Sequence, residues 1–169
     1  SELVITITGT NDDPVAAAAS FSVTKDGAAI TGSVSASDVD GDPLAFALDV
    51  PAPAGLVFGA DGSYSFDPSV AAYQGLAAGQ SMVLTLPYTV TDGHGGSATA
   101  NLVITVSGSN TAPVAQASAF AVAEDDPAVS GAVVANDADD GAVLTFALSG
   151  PAPAGLVFDS DGSYTFDPS

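Results

Sequence analysis

A block of 19 residues occurs twice in this chain. Pro51-Ala-Pro-Ala-Gly-Leu-Val-Phe-Gly-Ala-Asp-Gly-Ser-Tyr-Ser-Phe-Asp-Pro-Ser69 returns at 151–169 with 16 of the 19 positions identical, at an offset of 100. Upstream the offset is 99, as Pro14 and Pro113 show, so one residue has been inserted near Asp140-Gly141, where a loop can absorb it. Self-similarity at a fixed period marks tandem copies of one structural unit. The seams carry their own signature, Thr8-Gly9-Thr10-Asn11-Asp12-Asp13-Pro14-Val15 and Ser107-Gly108-Ser109-Asn110-Thr111-Ala112-Pro113-Val114. In each, Gly breaks a strand-like run, Asn opens a turn, and Pro keeps that turn from becoming a helix.

Three pieces follow from the period. Residues 1–8 read as the last strand of a preceding repeat, 9–107 as one complete repeat, and 108–169 as the first part of the next. The second copy has nothing matching 70–107, so by itself it does not complete its sheet. Either the chain belongs to a longer array, or a neighbouring chain supplies a strand by strand exchange. The Leu3–Ile7 run is a plausible donor for one missing strand but not for two.

Within a repeat the apolar residues alternate as in strands. Phe21 to Lys25, Ile30 to Ser37 and Pro43 to Leu48 read as strands. Gly55 to Phe58 and Ser63 to Phe66 flank Asp61-Gly62, a hairpin signal. Residues 70–79 are the one stretch suited to a short helical turn. Met82 to Thr91 is the clearest strand, with Leu84, Leu86, Tyr88 and Val90 facing in; Pro87 points to an edge or a bulge. Ala98 to Ser107 closes the repeat. About seven strands per repeat predict an all-β fold of tandem antiparallel β-sandwiches of immunoglobulin-like type, without the immunoglobulin disulfide or core Trp.

Charge narrows the function. Twenty acids face one base, Lys25, for a net charge of −19. Such one-sided repulsion works against a compact state unless cations screen or bind it. Nucleic acid and anionic membrane are poor partners for this surface, so no nucleic acid partner is expected, and no apolar run is long enough for membrane insertion as a spanning helix. With no Cys in the chain, a metal is the leading candidate for a staple.

The acids cluster where a metal could use them. Asp38/Asp40 and Asp137/Asp139 are each two apart, so at strand spacing their carboxylates share a face and repel unless a cation lies between them. Oxygen-only ligands suit Ca²⁺, which tolerates irregular shells of six to eight oxygens, better than Mg²⁺. One domain edge rarely offers six oxygens. A seam can, with Asp92 from the turn before the last strand, Asn110 from the linker, and Glu124, Asp137 and Asp139 from the following copy. The same composition also makes plain solvated turns; recurrence and the unbalanced charge favour the metal. Asp42 and Asp140 fall in unmatched registers and are left out. Lys25 stands in one copy where Glu124 stands in the other, so the two seams differ.

An enzyme is not expected. His94 lies between turn glycines with no nucleophile pattern beside it. Asp61 and Asp67 recur at Asp161 and Asp167, which fits a repeated scaffold better than two glycosidase pairs.

Gly9-Thr-Asn-Asp-Asp-Pro-Val15, Ala36-Ser-Asp-Val-Asp-Gly41, Asp61-Gly-Ser-Tyr-Ser-Phe66 and Tyr88-Thr-Val-Thr-Asp-Gly93 together resemble the tandem VCBS/cadherin-like repeats of giant bacterial adhesins of the RTX type. The resemblance covers essentially the whole chain. It implies a calcium-dependent extender, exported by type I secretion and held at the surface of a Gram-negative cell, serving adhesion or biofilm formation. It also implies calcium ligands at Asn11, Asp12, Asp38, Asp40, Asp137 and Asp139, with Asp92 and Asn110; Thr111 departs from the pattern where Asp12 fits it. Neighbouring repeats of the same chain are the expected partners. The alternatives are a subunit of a self-assembling fibre or surface layer, and a glycan- or protein-binding module.

Overall fold

Two long strands, β8 (Ser81–Thr91) and β9 (Ser97–Ser107), form the spine of the first repeat. They pair antiparallel along their full length, from Ser81 opposite Ser107 to Thr91 opposite Ser97. Alternation does the rest: Leu86, Tyr88 and Val90 from one strand and Leu102, Ile104 and Val106 from the other are all buried on one face. The structure, a computed structural model, describes residues 1–169 and divides into two compact units, Ser1–Ser109 and Asn110–Ser169. No helix is long and apolar enough to cross a membrane.

In the first unit, β2 (Ala19–Thr24) and β5 (Ala45–Leu48) flank the spine to give a four-stranded sheet in the order β2-β9-β8-β5. β2 runs parallel to β9; the other pairs are antiparallel. The facing layer contains β3 (Ile30–Ser33), β7 (Ser63–Phe66) and β6 (Leu56–Phe58) in that order, with β1 (Val15–Ala17) on β4 (Ser35–Ser37). Both layers meet in one apolar core that includes Val34, Leu56, Phe66 and Tyr73. This is the expected all-β sandwich. Its nine strands are seven chain passes, because β1/β2 and β3/β4 are each one pass interrupted at a single residue, Ala18 and Val34. At the first interruption the chain changes partner from β4 to β9, and the Tyr88 hydroxyl donates to the Ala17 carbonyl. The expected helical turn is a 3₁₀ turn over Ala71–Tyr73.

One expectation needs revision. Pro87 sits in a central strand, not at an edge. Its carbonyl accepts from Asp49 N at 2.9 Å, on the β5 side, just past the end of β5. A residue's N and C=O point to the same side of a strand, so the missing N–H removes no bond to β9. Leu3–Ile7, read as the last strand of a preceding repeat, has no ladder partner within residues 1–169 and lies exposed.

The second unit repeats the facing layer. β11 (Val129–Ala132), β14 (Ser163–Phe166) and β13 (Leu156–Phe158) reproduce β3-β7-β6, and β10 (Val114–Ala115) with β12 (Ala135–Asn136) reproduces β1-β4. Phe120 stacks on Tyr164 at 5.3 Å as Phe21 stacks on Tyr64 at 5.4 Å. Residues 118–123 and 145–148, the counterparts of β2 and β5, form no strands here. Those two strands are held in the first unit by β8 and β9.

Candidate metal centre

The turn after β4 is built around one carboxylate. Asp38 Oδ1 accepts three backbone N–H groups, from Asp40 at 2.8 Å, Gly41 at 3.1 Å and Asp42 at 3.4 Å. Gly41, at φ +77°, closes the turn in a conformation that side-chain-bearing residues rarely adopt. The result places one oxygen from each of Asp38, Asp40 and Asp42 within 4.8 Å of one another. Asp38 Oδ2 is buried and has no hydrogen-bond partner. A buried carboxylate oxygen without a donor is costly, because desolvation is not offset by any bond.

The linker is tied to the same pole. Asp12 N donates to Asp40 Oδ2 at 2.8 Å, and Asn11 Nδ2 donates to Asp92 Oδ2 at 2.7 Å. Asp92 is only 2 % exposed. Its Oδ1 accepts from His94 N, Gly95 N and Gly96 N at 2.7–3.1 Å. The Asn11 amide first, and then the His94 N–H, hold its carboxyl below the usual range. Asp92 already accepts several hydrogen bonds and orients the linker. A Cβ on Gly96 would lie 2.2 Å from Asp92 Oδ2 and 2.8 Å from Asp13 Oδ1, which places the Asp13 carboxylate at this pole too. His94 Nδ1 approaches Asp42 Oδ2 at 3.1 Å. A shallow cleft of about 310 Å³ between Asn11, Asp40, Asp42 and His94 opens above the turn.

The grouping read from the sequence changes here. Asp92 was placed with the linker that follows its repeat; the structure ties it to Asn11, in the linker that precedes it. The 92–96 turn leads into β9, and an 11-residue strand separates its ends by roughly 33 Å. The far end is marked by Ser107, whose carbonyl accepts from Lys25 N at 2.9 Å. Lys25, fully buried, donates its Nζ to the Gln74 carbonyl there. Glu124 follows Phe120 by four residues, as Lys25 follows Phe21, and sits exposed in the corresponding turn. By that correspondence it belongs to the far pole of its own repeat and not beside Asp137 and Asp139.

The second unit rebuilds the near pole from its own residues. Thr111 N donates to Asp139 Oδ2 at 2.8 Å, Asp139 N to Asp137 Oδ1 at 2.8 Å, and Asn110 Nδ2 to the Thr111 carbonyl at 3.1 Å. Asp139 is buried and Gly141 repeats φ +77°. Asp12, Asp38, Asp40, Asn11 and Asp92 thus meet in one unit, and Asn110, Asp137 and Asp139 in the other. Asp42 and Asp13 were missed. Asp42 was findable, since it continues the alternate spacing of Asp38 and Asp40.

Residues 11–108 match the profile of the bacterial cadherin-like domain. The chain belongs to that family. In this bacterial cadherin-like protein, residues 110–169 match the bacterial Ig domain. No curated protein matches it. Among solved structures it resembles human protocadherin-24 EC1-2, at 19% identity and TM-score 0.51, covering 95% of this chain and 79% of that one. It also resembles mouse cadherin-23 EC22-24, at 20% identity and TM-score 0.54, covering 92% and 54%. Drosophila N-cadherin EC1-4 matches at 16% identity and TM-score 0.53, covering 93% and 41%. At such identities the likeness establishes the fold. The matched domains are cadherin- and Ig-like, not enzymes.

The donor set fits a hard divalent cation. Oxygens of the Asp38, Asp40 and Asp42 carboxylates converge within a few ångströms, Asp38 also carries a buried, partnerless Oδ2, and a single exposed imidazole, His94, lies against Asp42. Asp38, Asp40 and Asp42 would hold it in the first unit; Asp137 and Asp139 are the candidates in the second.

Proposed function

We propose that the chain is a calcium-stiffened extender of an extracellular bacterial surface adhesin, a spacer that carries a binding domain away from the cell. The observation that carries this reading is the buried, partnerless Oδ2 of Asp38, a residue whose carboxylate clusters with those of Asp40 and Asp42. Calcium would supply the positive charge that these oxygens lack. Without it, the acids of the linker, Asp12 and Asp13, repel those of the turn at short range. With it, the linker stays pinned to the body of its repeat. The ion binds the pinned state and so favours it by mass action. Secretion by the type I route and residence on a Gram-negative surface, with a part in adhesion or biofilm formation, are supported by the likeness of the linker, Asp-x-Asp and Tyr-Thr-Val-Thr-Asp-Gly motifs to those of RTX-type adhesins.

The test is small-angle scattering of the chain in calcium and again after chelation, with calorimetry to count the ions. A narrower distribution of interatomic distances with calcium is expected. An envelope that chelation leaves unchanged defeats the reading.

A further inference from the structure

Lys25 is the one lysine or arginine of the chain, and it is fully buried. Taking an ammonium out of water is costly unless oxygen atoms surround it. Its Nζ donates to the Gln74 carbonyl at 2.9 Å, and its backbone N donates to the Ser107 carbonyl at 2.9 Å. Its own carbonyl accepts from Gln74 Nε2 at 3.3 Å. Lys25 thus ties the residue after the 3₁₀ turn to the end of β9. The chain leaving β9 is bound to the same pole. Gly108 N donates to the Gln80 carbonyl at 2.8 Å, and the Ser109 hydroxyl donates to Asp26. Gly108 packs so closely that a Cβ on it would collide with the carbonyl oxygens of Leu76 and Ala77.

The two poles of this repeat are opposite in kind. At the near pole Asp12, Asp13, Asp38, Asp40, Asp42 and Asp92 gather with no lysine or arginine, and Asp38 Oδ2 has no donor. At the far pole the base is built in. Lys25-Asp26-Gly27 stands where the following copy has Glu124-Asp125-Asp126, so an acid balanced by a base replaces three acids. A Ca²⁺ ion calls for six to eight oxygens, and here it would lie against a buried positive charge. An ammonium is a compact charge with three donors, already tethered to the chain. The residues of this pole do not fit a divalent ion.

We infer that the far pole of the first repeat is closed by the Lys25 ammonium in place of a metal ion. Residues 107–109, where the chain leaves the repeat, are then ordered with or without calcium. The contrast with residues 11–13 rests on the calcium reading of the near pole. Together they give one repeat an entry linker that answers to calcium and an exit linker that does not.

Amide exchange followed by NMR on the full chain, in calcium and in chelator, tests this. Gly108 N reports the far pole, Asp12 N the near pole, and the β8–β9 amides show that the core is intact. In the parent, chelation should accelerate Asp12 by about tenfold or more and leave Gly108 within about twofold. Lys25→Met keeps the apolar stem and removes the charge. It should accelerate Gly108 by about tenfold or more in both buffers. The chain has no Cys, so Lys25→Cys can be alkylated in denaturant at that one sulfur and refolded. A 2-aminoethyl group restores the ammonium and should restore slow exchange at Gly108; a neutral propyl group of the same length should not. Chelation that accelerates Gly108 in the parent overturns the inference, because a metal then holds this pole. So does slow exchange at Gly108 in Lys25→Met, or equal rescue by the propyl group, which would reduce Lys25 to packing. If Asp12 ignores chelation while Lys25→Met still accelerates Gly108, the calcium reading of the near pole fails and the ammonium at the far pole stands.

Discussion

Asn11 donates its side-chain amide to Asp92 at 2.7 Å, joining the linker to the β8–β9 turn across 81 residues of sequence. A hydrogen bond to a largely buried carboxylate is among the stronger ones a surface linker can make. Asn11→Ala should therefore cost about 1 kcal/mol of stability. The change should be local, releasing the Asp12 amide from Asp40. Hydrogen exchange at Asp12 should accelerate while the β8–β9 amides stay protected. Unchanged exchange at Asp12 would separate the Asn11 bond from linker order.

Asp38→Asn separates metal binding from folding. Asn keeps an oxygen to accept the three N–H bonds of the turn and replaces the partnerless Oδ2 with an N–H₂ group beside two carboxylates. In chelator the variant should be as stable as the parent or more stable, by about 1 kcal/mol, a rise of several degrees in melting temperature for a domain of this size. In calcium the order should reverse, because the variant lacks the ligand. A parent that gains no melting temperature from calcium removes the basis for assigning the oxygen to an ion.

The strands were legible wherever burial on one face imposed alternation, as over Met82–Thr91, and the Asp61-Gly62 hairpin followed from its turn residues. The breaks at Ala18 and Val34 were not, because a change of sheet is decided by which strands lie opposite, and no local propensity records that. Pro87 misled for the same reason: its missing N–H faces the β5 side, just past the end of β5, where no ladder bond is lost. At the site, Asp38 and Asp40 could be read from spacing. The partner of Asp92 could not, since it depends on which end of β9 the turn occupies.

Gly96 is held to a residue without Cβ by the carboxylates around it. An added Cβ would meet Asp92 Oδ2 at 2.2 Å, and Asp92 cannot retreat without breaking its bonds to His94, Gly95 and Gly96. Gly96→Ala should destabilise the first unit by about 1–3 kcal/mol, the range for overpacking at a tight site. The same substitution at Gly93 meets no atom within 4 Å and is penalised only for its φ of +79°. Denaturant midpoints of the two variants check the ordering; the contact argument also requires Gly96→Ala, and not Gly93→Ala, to weaken calcium binding.

Acid should loosen four turns that lie apart from the Asp38, Asp40 and Asp42 cluster. Asp61 accepts the Ser63 hydroxyl at 2.6 Å and the Ser63 N–H at 3.0 Å, and Asp67, Asp161 and Asp167 make the same pair of bonds to Ser69, Ser163 and Ser169. In each case the serine hydroxyl is the main cause holding the carboxyl below its ordinary value of 3.8. A folded-state pKa below the unfolded one means that the unfolded chain takes up protons first as pH falls. The stabilisation is therefore fully present above the unfolded pKa and is lost as pH drops through the folded one. In calcium-free buffer the melting temperature should fall as pH drops through and below the ordinary carboxyl value of 3.8. Ser63→Ala with Ser69→Ala removes the larger cause at both turns of the first unit, so that variant should be less stable at neutral pH and lose less on acidification. Melting curves by circular dichroism at half-unit steps decide it: parallel pH profiles for parent and variant would mean that these bonds carry no linked proton.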